Sequence, residues 1–359
     1  MDFLIEVIKV FVVAIMLLNM AAILTWVERK ESALVQDRVG PNRASIFGMS
    51  LIGLLHPVAD AIKMIMKEDF VPQHANRFLF KIAPALAVFP VFVVFAVIPF
   101  GDVLQIGERV IKLQIADLNV GILYIFALSS LAVYGVIIGG WASNNKYSLL
   151  GGMRAASQMI SYEVCMGVTL VGLFMIFGTV ELDDLVRYQG ELIGGWIPKW
   201  GILVQPISFF LFLATAMAEN KRIPFDLPEG DSEIVAGYHL EYSGFRFGMF
   251  FLGEYAEIVV ISALVTTLFF GGWQIPYLYG NGFHFPWGAE LAIVPWAVSL
   301  LQVGSFSIKV LFFCWLLVLT RWTFPRFRYD QVMRMGWKMI LPLALANIVV
   351  TGIVLLIFN

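Results

Sequence analysis

The chain has 359 residues, of which 60% are apolar and only 14% charged, with a net charge of −2. Soluble domains carry about 25% charged residues, and repeated apolar runs of about 20 residues define a polytopic α-helical membrane protein rather than a soluble enzyme. No lysine and arginine stripe is present to neutralise phosphates, which excludes a nucleic-acid surface.

The two cysteines, Cys165 and Cys314, are far apart and form no CxxC, so the chain alone cannot hold an iron–sulfur cluster. His56, His74, His239 and His284 show neither zinc spacing nor a paired haem arrangement. Redox centres, if the protein serves redox chemistry, belong to a partner.

Eight spans are expected, at about 3–27, 83–100, 120–141, 157–177, 201–218, 245–270, 297–319 and 339–358. The first lacks a basic leader and a cleavage site, so it reads as a span and not a signal peptide. It ends in Glu28-Arg29-Lys30-Glu31, followed by the Gly40-Pro41-Asn42 turn signal. In the next segment, about 49–68, His56, Asp60, Lys63 and Lys67 form one polar stripe opposite Leu51, Leu54 and Val58. That pattern predicts an amphipathic helix lying at the membrane surface. The third span carries Gly135-x-x-x-Gly139, a weak close-packing signature.

Ionisable residues inside spans are costly unless paired or hydrated. Glu163 lies near the start of the fourth span, Glu254 and Glu257 share one face of the sixth, and Lys309 sits within the seventh. Single groups of this kind often glue helices together statically. Several carboxylates on adjacent spans instead suit a proton relay, because their affinity for protons responds to nearby charge.

The densest charge lies between the fifth and sixth spans, in residues 218–244. Glu219, Asp226, Glu229, Asp231, Glu233 and Glu241 are opposed there only by Lys221 and Arg222. Pro224, Pro228, Phe225, Tyr238 and Tyr242 indicate a packed loop rather than a solvated one, and a packed acidic loop at a membrane surface is a candidate for proton handling. Of the 24 Lys and Arg residues, Lys9, Arg109, Lys112, Arg187 and Lys199 fall on the opposite side and Lys309 within a span, leaving 18 beside this loop. By the positive-inside rule that side is cytoplasmic and both termini lie outside. The end of span 1, the amphipathic helix, the acidic loop and the basic segment containing Arg326 and Arg328 then share one side. Anchoring explains many of these arginines, but together with Glu28 and Asp60 they could also line a cavity for an amphipathic, lipid-soluble substrate.

The motifs VERKESALVQDRVGPNR, HPVADAIKMIMKED, RAASQMISYEV, AENKRIPFDLPEGDSEIVAGYHLEYSGFRFGMFFLGEYAEI and RWTFPRFRYDQVMRMGWK, in this order over nearly the whole chain, resemble a known family. It is the quinone-chamber membrane subunit of proton-pumping NADH:quinone oxidoreductase (respiratory complex I), the H-type subunit of bacteria and subunit 1 of mitochondria. The resemblance implies an all-α polytopic fold of eight transmembrane helices plus a cytoplasmic-side amphipathic helix. It implies quinone binding by Glu28, Arg29, Arg38, Asp60, Arg222, Phe225 and Asp226, and a proton-coupling path through Glu163, Glu219, Glu229, Asp231, Glu233, Glu241 and Glu254. Ubiquinone or menaquinone is then the substrate, with no metal, haem or iron–sulfur cluster in this chain. The implied partners are peripheral iron–sulfur and quinone-site subunits on the cytoplasmic side, small membrane subunits, antiporter-like proton-pumping subunits and lipid. The implied location is the bacterial inner membrane, with the mitochondrial inner membrane as second reading. Three features depart from the family pattern: His56 in place of Gln, Asp231 in place of Glu, and Ala44-Ser45-Ile46 in place of a Gly-containing stretch. His56 adds a group that can titrate near the substrate entrance.

Two alternatives stand beside this reading. One is the equivalent subunit of a membrane-bound hydrogenase or another donor-driven complex. The other is a stand-alone secondary transporter, which would carry an internal repeat with broken helices in both halves; the acidic loop has no counterpart in the first half.

Overall fold

The structure, a computed structural model, describes residues 2–106 and 109–358. Its helices are α1 (Asp2–Val35), α2 (His56–Met66), α3 (Arg77–Val94), α4 (Gly121–Ala142), α5 (Lys146–Phe177), α6 (Leu182–Gln189), α7 (Gly201–Val204), α8 (Pro206–Glu219), α9 (Asp231–Ile234), α10 (Gly244–Phe269), α11 (Pro295–Thr323), α12 (Tyr329–Met335) and α13 (Leu341–Phe358). Short antiparallel hairpins occupy the loops: β1 (Val103–Ile106) with β2 (Arg109–Lys112), and β3 (Leu192–Ile193) with β4 (Ile197–Pro198). A three-stranded meander, β5 (Leu278–Tyr279), β6 (Gly282–His284) and β7 (Glu290–Ala292), precedes α11.

Among the described residues, seven helices are long and apolar enough to cross a membrane: α1, α3 with its 3₁₀ extension, α4, α5, α10, α11, and the continuous run from α12 to α13. The protein is therefore a multi-pass helical membrane protein. α10 is the central helix, buried almost throughout from Gly253 to its end, while α1 and α13 keep broad apolar faces outward.

The expected fifth span differs from the others. It divides at Gln205 into α7 and the 14-residue α8. Pro206 causes the break, since proline lacks an N–H and drives the preceding residue out of helical geometry; Gln205 has φ −138° and ψ 61°. The exposed polar groups at the break are satisfied internally. Gln205 Nε2 donates to Thr351 Oγ1 at 2.7 Å, and Asn347 Nδ2 donates to Gln205 Oε1 at 2.9 Å.

The amphipathic segment is also shorter than its pattern. Only His56–Met66 is α-helical, after a 3₁₀ turn at Leu51–Gly53. It packs on α1 and α10 and leaves Ile62, Ile65 and Met66 exposed. The run from α12 to α13 passes through a π-helical turn, Gly336–Ile340, set against Tyr162, whose hydroxyl donates to the Val332 carbonyl at 2.8 Å. Such single wide turns inside α-helices are rare.

Close backbone approach fixes the bundle. A Cβ at Gly135 would lie 2.4 Å from Ala87 N, so α3 and α4 meet where only glycine fits, as the Gly135-x-x-x-Gly139 spacing predicts.

Candidate functional site

The acidic segment folds as a packed plug at one end of the bundle. Gly237 has φ +59°, and a Cβ there would fall 1.7 Å from the Pro228 carbonyl oxygen, so the FDLPEG turn and the VAGYH stretch can close only on a glycine. From α5, Gln158 Nε2 donates to the carbonyls of Ala218 at 2.7 Å and Phe225 at 2.8 Å. The segment before α12 closes the other side, with Phe327 N donating to the Pro224 carbonyl at 3.0 Å. Phe225 is buried, its ring 5.9 Å from Tyr162 and 5.5 Å from Phe327.

At the centre of this end lies Glu28, near the end of α1. Its Oε2 accepts from Arg222 Nη1 at 2.5 Å and from the Tyr255 hydroxyl at 2.8 Å, and its Oε1 accepts from Arg321 Nη1. The Glu28 and Arg222 side chains are only 8% and 10% exposed. The Arg222 guanidinium also lies 4.0 Å from the Tyr255 ring centroid, a cation–π contact. Burial opposes its charge, and Glu28 with other acids more than offsets that, holding the guanidinium protonated above its ordinary range.

Asp226 pairs with Arg326 through Oδ2 and Nη2 at 2.6 Å. Burial outweighs the arginine, and the Asp226 carboxyl is pushed up to about 6. Several polar atoms around these pairs have no partner among the described residues: Arg222 Nε, Asp226 Oδ1, Arg326 Nε and both Glu31 oxygens. Buried polar atoms of this kind cluster where a site receives a polar occupant.

Between α1, α2 and α10 runs a groove of about 570 Å³, lined by Ala21, Thr25, Arg29, Asp60, Met64, Phe247, Phe251 and Tyr255. Its walls are mainly apolar. Its polar edge is the pair Arg29 Nη2 to Asp60 Oδ2 at 2.5 Å. Tyr255 joins the groove to the Glu28 cluster, since it lines the first and donates to the second. The volume falls in the usual range for small-ligand sites of about 300–1,000 Å³. Arg38 lies apart from this cluster, exposed, with Nη2 donating to Ser32 Oγ at 3.1 Å.

A row of carboxyls continues inward. Glu229 lies within electrostatic reach of Glu254, whose Oε1 accepts from the Tyr238 hydroxyl at 2.9 Å. Burial pushes the Glu229 carboxyl well above the usual range, Glu254 and Asp226 add to this, and Arg222 opposes it. Glu257 follows one turn along α10 and faces Lys221 Nζ at 3.9 Å. Glu219, 5% exposed at the end of α8, has Glu257, Glu163 and Lys221 as its neighbouring charges. Ser129, Glu219 and Glu257 line a cavity of about 40 Å³, enough for about one water molecule. Glu163 Oε1 then accepts from Ser129 Oγ at 3.0 Å and Ser130 Oγ at 2.6 Å. Buried neighbouring carboxyls bridged by hydroxyls can hold fewer protons than they have sites, which is what proton transfer along a row requires.

The other sequence-predicted acids stand at the loop's margin. Glu233 pairs with Arg154 at 2.7 Å and Glu241 accepts from Asn145 Nδ2 at 2.6 Å. The side chain of Asp231 lies outside the described residues. Arg321, Tyr255, Gln158 and Lys221 escaped the sequence reading as site residues. Arg321 sits in a basic segment that topology alone explains, and Tyr255 and Gln158 sit in helices where nothing but tertiary contact distinguishes them. Among the described residues, no group of three or more His, Cys, Asp or Glu side chains is arranged to hold a metal ion.

A multi-pass helical membrane protein with a charged cluster at one end, an apolar groove beside it and carboxyls leading inward is of a type suited to coupling chemistry at its edge to charge within the membrane. A family model described as NADH dehydrogenase matches residues 8–352. The chain is 47% identical over 357 residues to the NADH-quinone oxidoreductase H subunit, form 1, of Geobacter metallireducens, covering 99% of this chain and 98% of that protein. It is 49% identical over 350 residues to the corresponding form 2 of Syntrophobacter fumaroxidans, covering 98% and 96%. It is 47% identical over 347 residues to the NADH-quinone oxidoreductase H subunit of Thermomicrobium roseum, covering 96% and 94%. The chain belongs to the NADH dehydrogenase family.

Proposed function

We propose that the chain is the membrane subunit of an NADH:quinone oxidoreductase that closes the membrane side of a quinone chamber and couples quinone reduction to proton movement. The observation that carries this reading is Tyr255, which lines the apolar groove and at the same time binds Glu28 and stacks on Arg222. An isoprenoid quinone needs both parts: a tail path between helices and charged donors for its head.

In this reading Glu28, Arg29, Asp60, Arg222 and Asp226 line the chamber or its entrance. Phe225 shapes the chamber wall, and Arg38 acts at the outer rim. Reduction changes the charge at the Arg222–Glu28 cluster. That change is felt by Glu229 and Glu254, and onward by Glu219 and Glu163, because each carboxyl lies among other charges at low dielectric. Glu233 and Glu241 hold the loop that carries these groups, and Asp231 belongs to the same acidic path. The substrate is ubiquinone or menaquinone, and the electrons arrive from iron–sulfur centres in peripheral partner subunits.

Residues 1–359 form one integral membrane domain. The bent α7–α8 pair counts as the eighth span, and α2 lies at the cytoplasmic surface with its exposed apolar residues toward lipid. Both termini are then outside, in the bacterial inner membrane, beside small membrane subunits and antiporter-like partners.

The test is to tag the chain, solubilise it gently, identify what co-purifies and assay NADH oxidation with added ubiquinone and menaquinone analogues. An iron–sulfur assembly that reduces quinone is the expected result. A hydrogenase-type partner set, or a lone chain from intact membranes, would overturn it.

A further inference from the structure

Glu31 is a buried carboxylate that the chamber just described does not use. It is 5% exposed, yet neither of its oxygens has a hydrogen-bond partner among the described residues. It stands three residues after Glu28 on α1, on a neighbouring position of one helix face, and Glu28 is the charge that acts on it. Glu28 itself is saturated, with Arg222, Arg321 and Tyr255 all donating to it. The charged and titratable groups around the end of α1 are Glu28, Arg29 and Lys30 on α1 itself, Arg38 folded back onto Ser32, Asp60 from α2, Tyr255 from α10, Arg321 from α11 and Arg222 from the acidic loop, with Lys30 donating to the Val39 carbonyl. All of these have partners, and among the described residues Glu31 does not.

A carboxylate kept from water with no donor is strongly disfavoured as an anion. Substituting any residue of similar size for Glu31 would remove that cost, so its place calls for a use of the neutral acid. Its position supplies one. α1 runs toward the cytoplasmic side in the topology above, so Glu31 lies one helical turn outside Glu28, between the aqueous phase and the clasped pair.

We propose that Glu31 is the proton-intake group of the chamber: it takes a proton from the cytoplasmic side and releases it toward the Glu28–Arg222–Arg321 cluster when negative charge arrives there. This rests on the chamber reading given under Proposed function. The transfer is of a proton only. The O–H of the Glu31 carboxyl breaks, an O–H forms on the reduced quinone oxygen held at that cluster, and the Glu31 carboxylate is reprotonated from outside.

The test uses the whole assembled complex carrying Glu31→Gln or Glu31→Asp. The first readout is a pH-difference infrared spectrum without quinone. A carboxyl C=O band that titrates in the unmodified complex and is absent from the Glu31→Gln complex supports the proposal. A spectrum unchanged by the substitution overturns it. The second readout is the pH dependence of quinone reduction. The unmodified complex is expected to lose rate on an alkaline limb, about tenfold per pH unit for one proton. Glu31→Gln should be slow and lack that limb, while Glu31→Asp retains it at a displaced pH. Superimposable profiles, or failure of the Gln complex to assemble together with an undisplaced limb in the Asp complex, would overturn it. If the unmodified complex does not reduce quinone at all, the chamber reading falls, while the infrared band still decides whether Glu31 titrates.

Discussion

Tyr255 holds Arg222 and Glu28 in one arrangement: its ring lies 4.0 Å from the Arg222 guanidinium and its hydroxyl donates to Glu28 at 2.8 Å. The two contacts separate by substitution. Tyr255→Phe keeps the ring and removes one of three donors to Glu28, so quinone reduction should fall only a few-fold, equivalent to about 0.5–1 kcal/mol for one hydrogen bond whose acceptor keeps two other donors. Arg222→Lys keeps the charge but loses the planar fork and the stack, and the larger loss, tenfold or more, is expected there. Steady-state kinetics with a short-chain quinone in both variants checks the order. Equal losses would separate the stack from function.

Asp226 gives a pH dependence of known sign. Its carboxyl is raised to about 6, because burial outweighs the Arg326 guanidinium 2.6 Å away. Above that pH the group is ionised and the pair to Arg326 is charge-assisted. As pH falls through about 6 the group is protonated and the Asp226–Arg326 attraction is lost. The expected outcome is a rate that declines on the acid side near pH 6. Asp226→Asn should be low at all pH values and show no such step. A rate profile from about pH 5 to 8 in both forms is sufficient, and an identical acid limb in Asp226→Asn would assign the step to another group.

Glu219 lies 5% exposed among Glu257, Glu163 and Lys221. Glutamine in its place keeps size and hydrogen bonding but cannot exchange a proton. Glu219→Gln is expected to leave assembly and the quinone KM unchanged while coupled quinone reduction falls strongly, by tenfold or more. Unchanged turnover with normal quinone affinity would remove Glu219 from the proton path.

These predictions draw on parts of the molecule that differ in how far sequence exposes them. Seven spans were legible because each buries its own backbone polar groups and so needs a long apolar run. The acidic plug was legible from its charge density, its two prolines and its aromatics. The α7–α8 break was written in Val204-Gln205-Pro206 but hidden by the apolar run around it. The clasp on Glu28 could not be read, because its three donors come from the loop, α10 and α11, up to 293 residues away in sequence. Arg321 in particular looks like an ordinary positive-inside anchor until the helices are packed.

Lys309 shows the same limit in a different form. A lysine inside a span invites an acidic partner, yet its ammonium donates instead to the carbonyls of Phe270 at 2.9 Å, Gly272 at 2.9 Å and Gln274 at 2.7 Å, with the Trp200 ring 5.1 Å away. These carbonyls follow the C-terminus of α10, where the helix dipole favours a cation and the last carbonyls lack helical partners. Gln189 supports the same end by donating to Thr267 O at 2.9 Å and accepting from Gly201 N and Gly271 N, both at 3.0 Å. Lys309 therefore fixes α10, the helix that carries Glu254 and Glu257, at the end opposite the charged cluster. Lys309→Met fills similar volume but leaves three carbonyls without their donor, at about 1–3 kcal/mol for each that stays buried. The expected outcome is a lower melting temperature and loss of the protein from the complex on native gels. Complexes that do retain the variant should reduce quinone at close to the unmodified rate, since the cluster at the other end keeps every donor. Reduced turnover in fully assembled complexes would instead give Lys309 a part in the coupling.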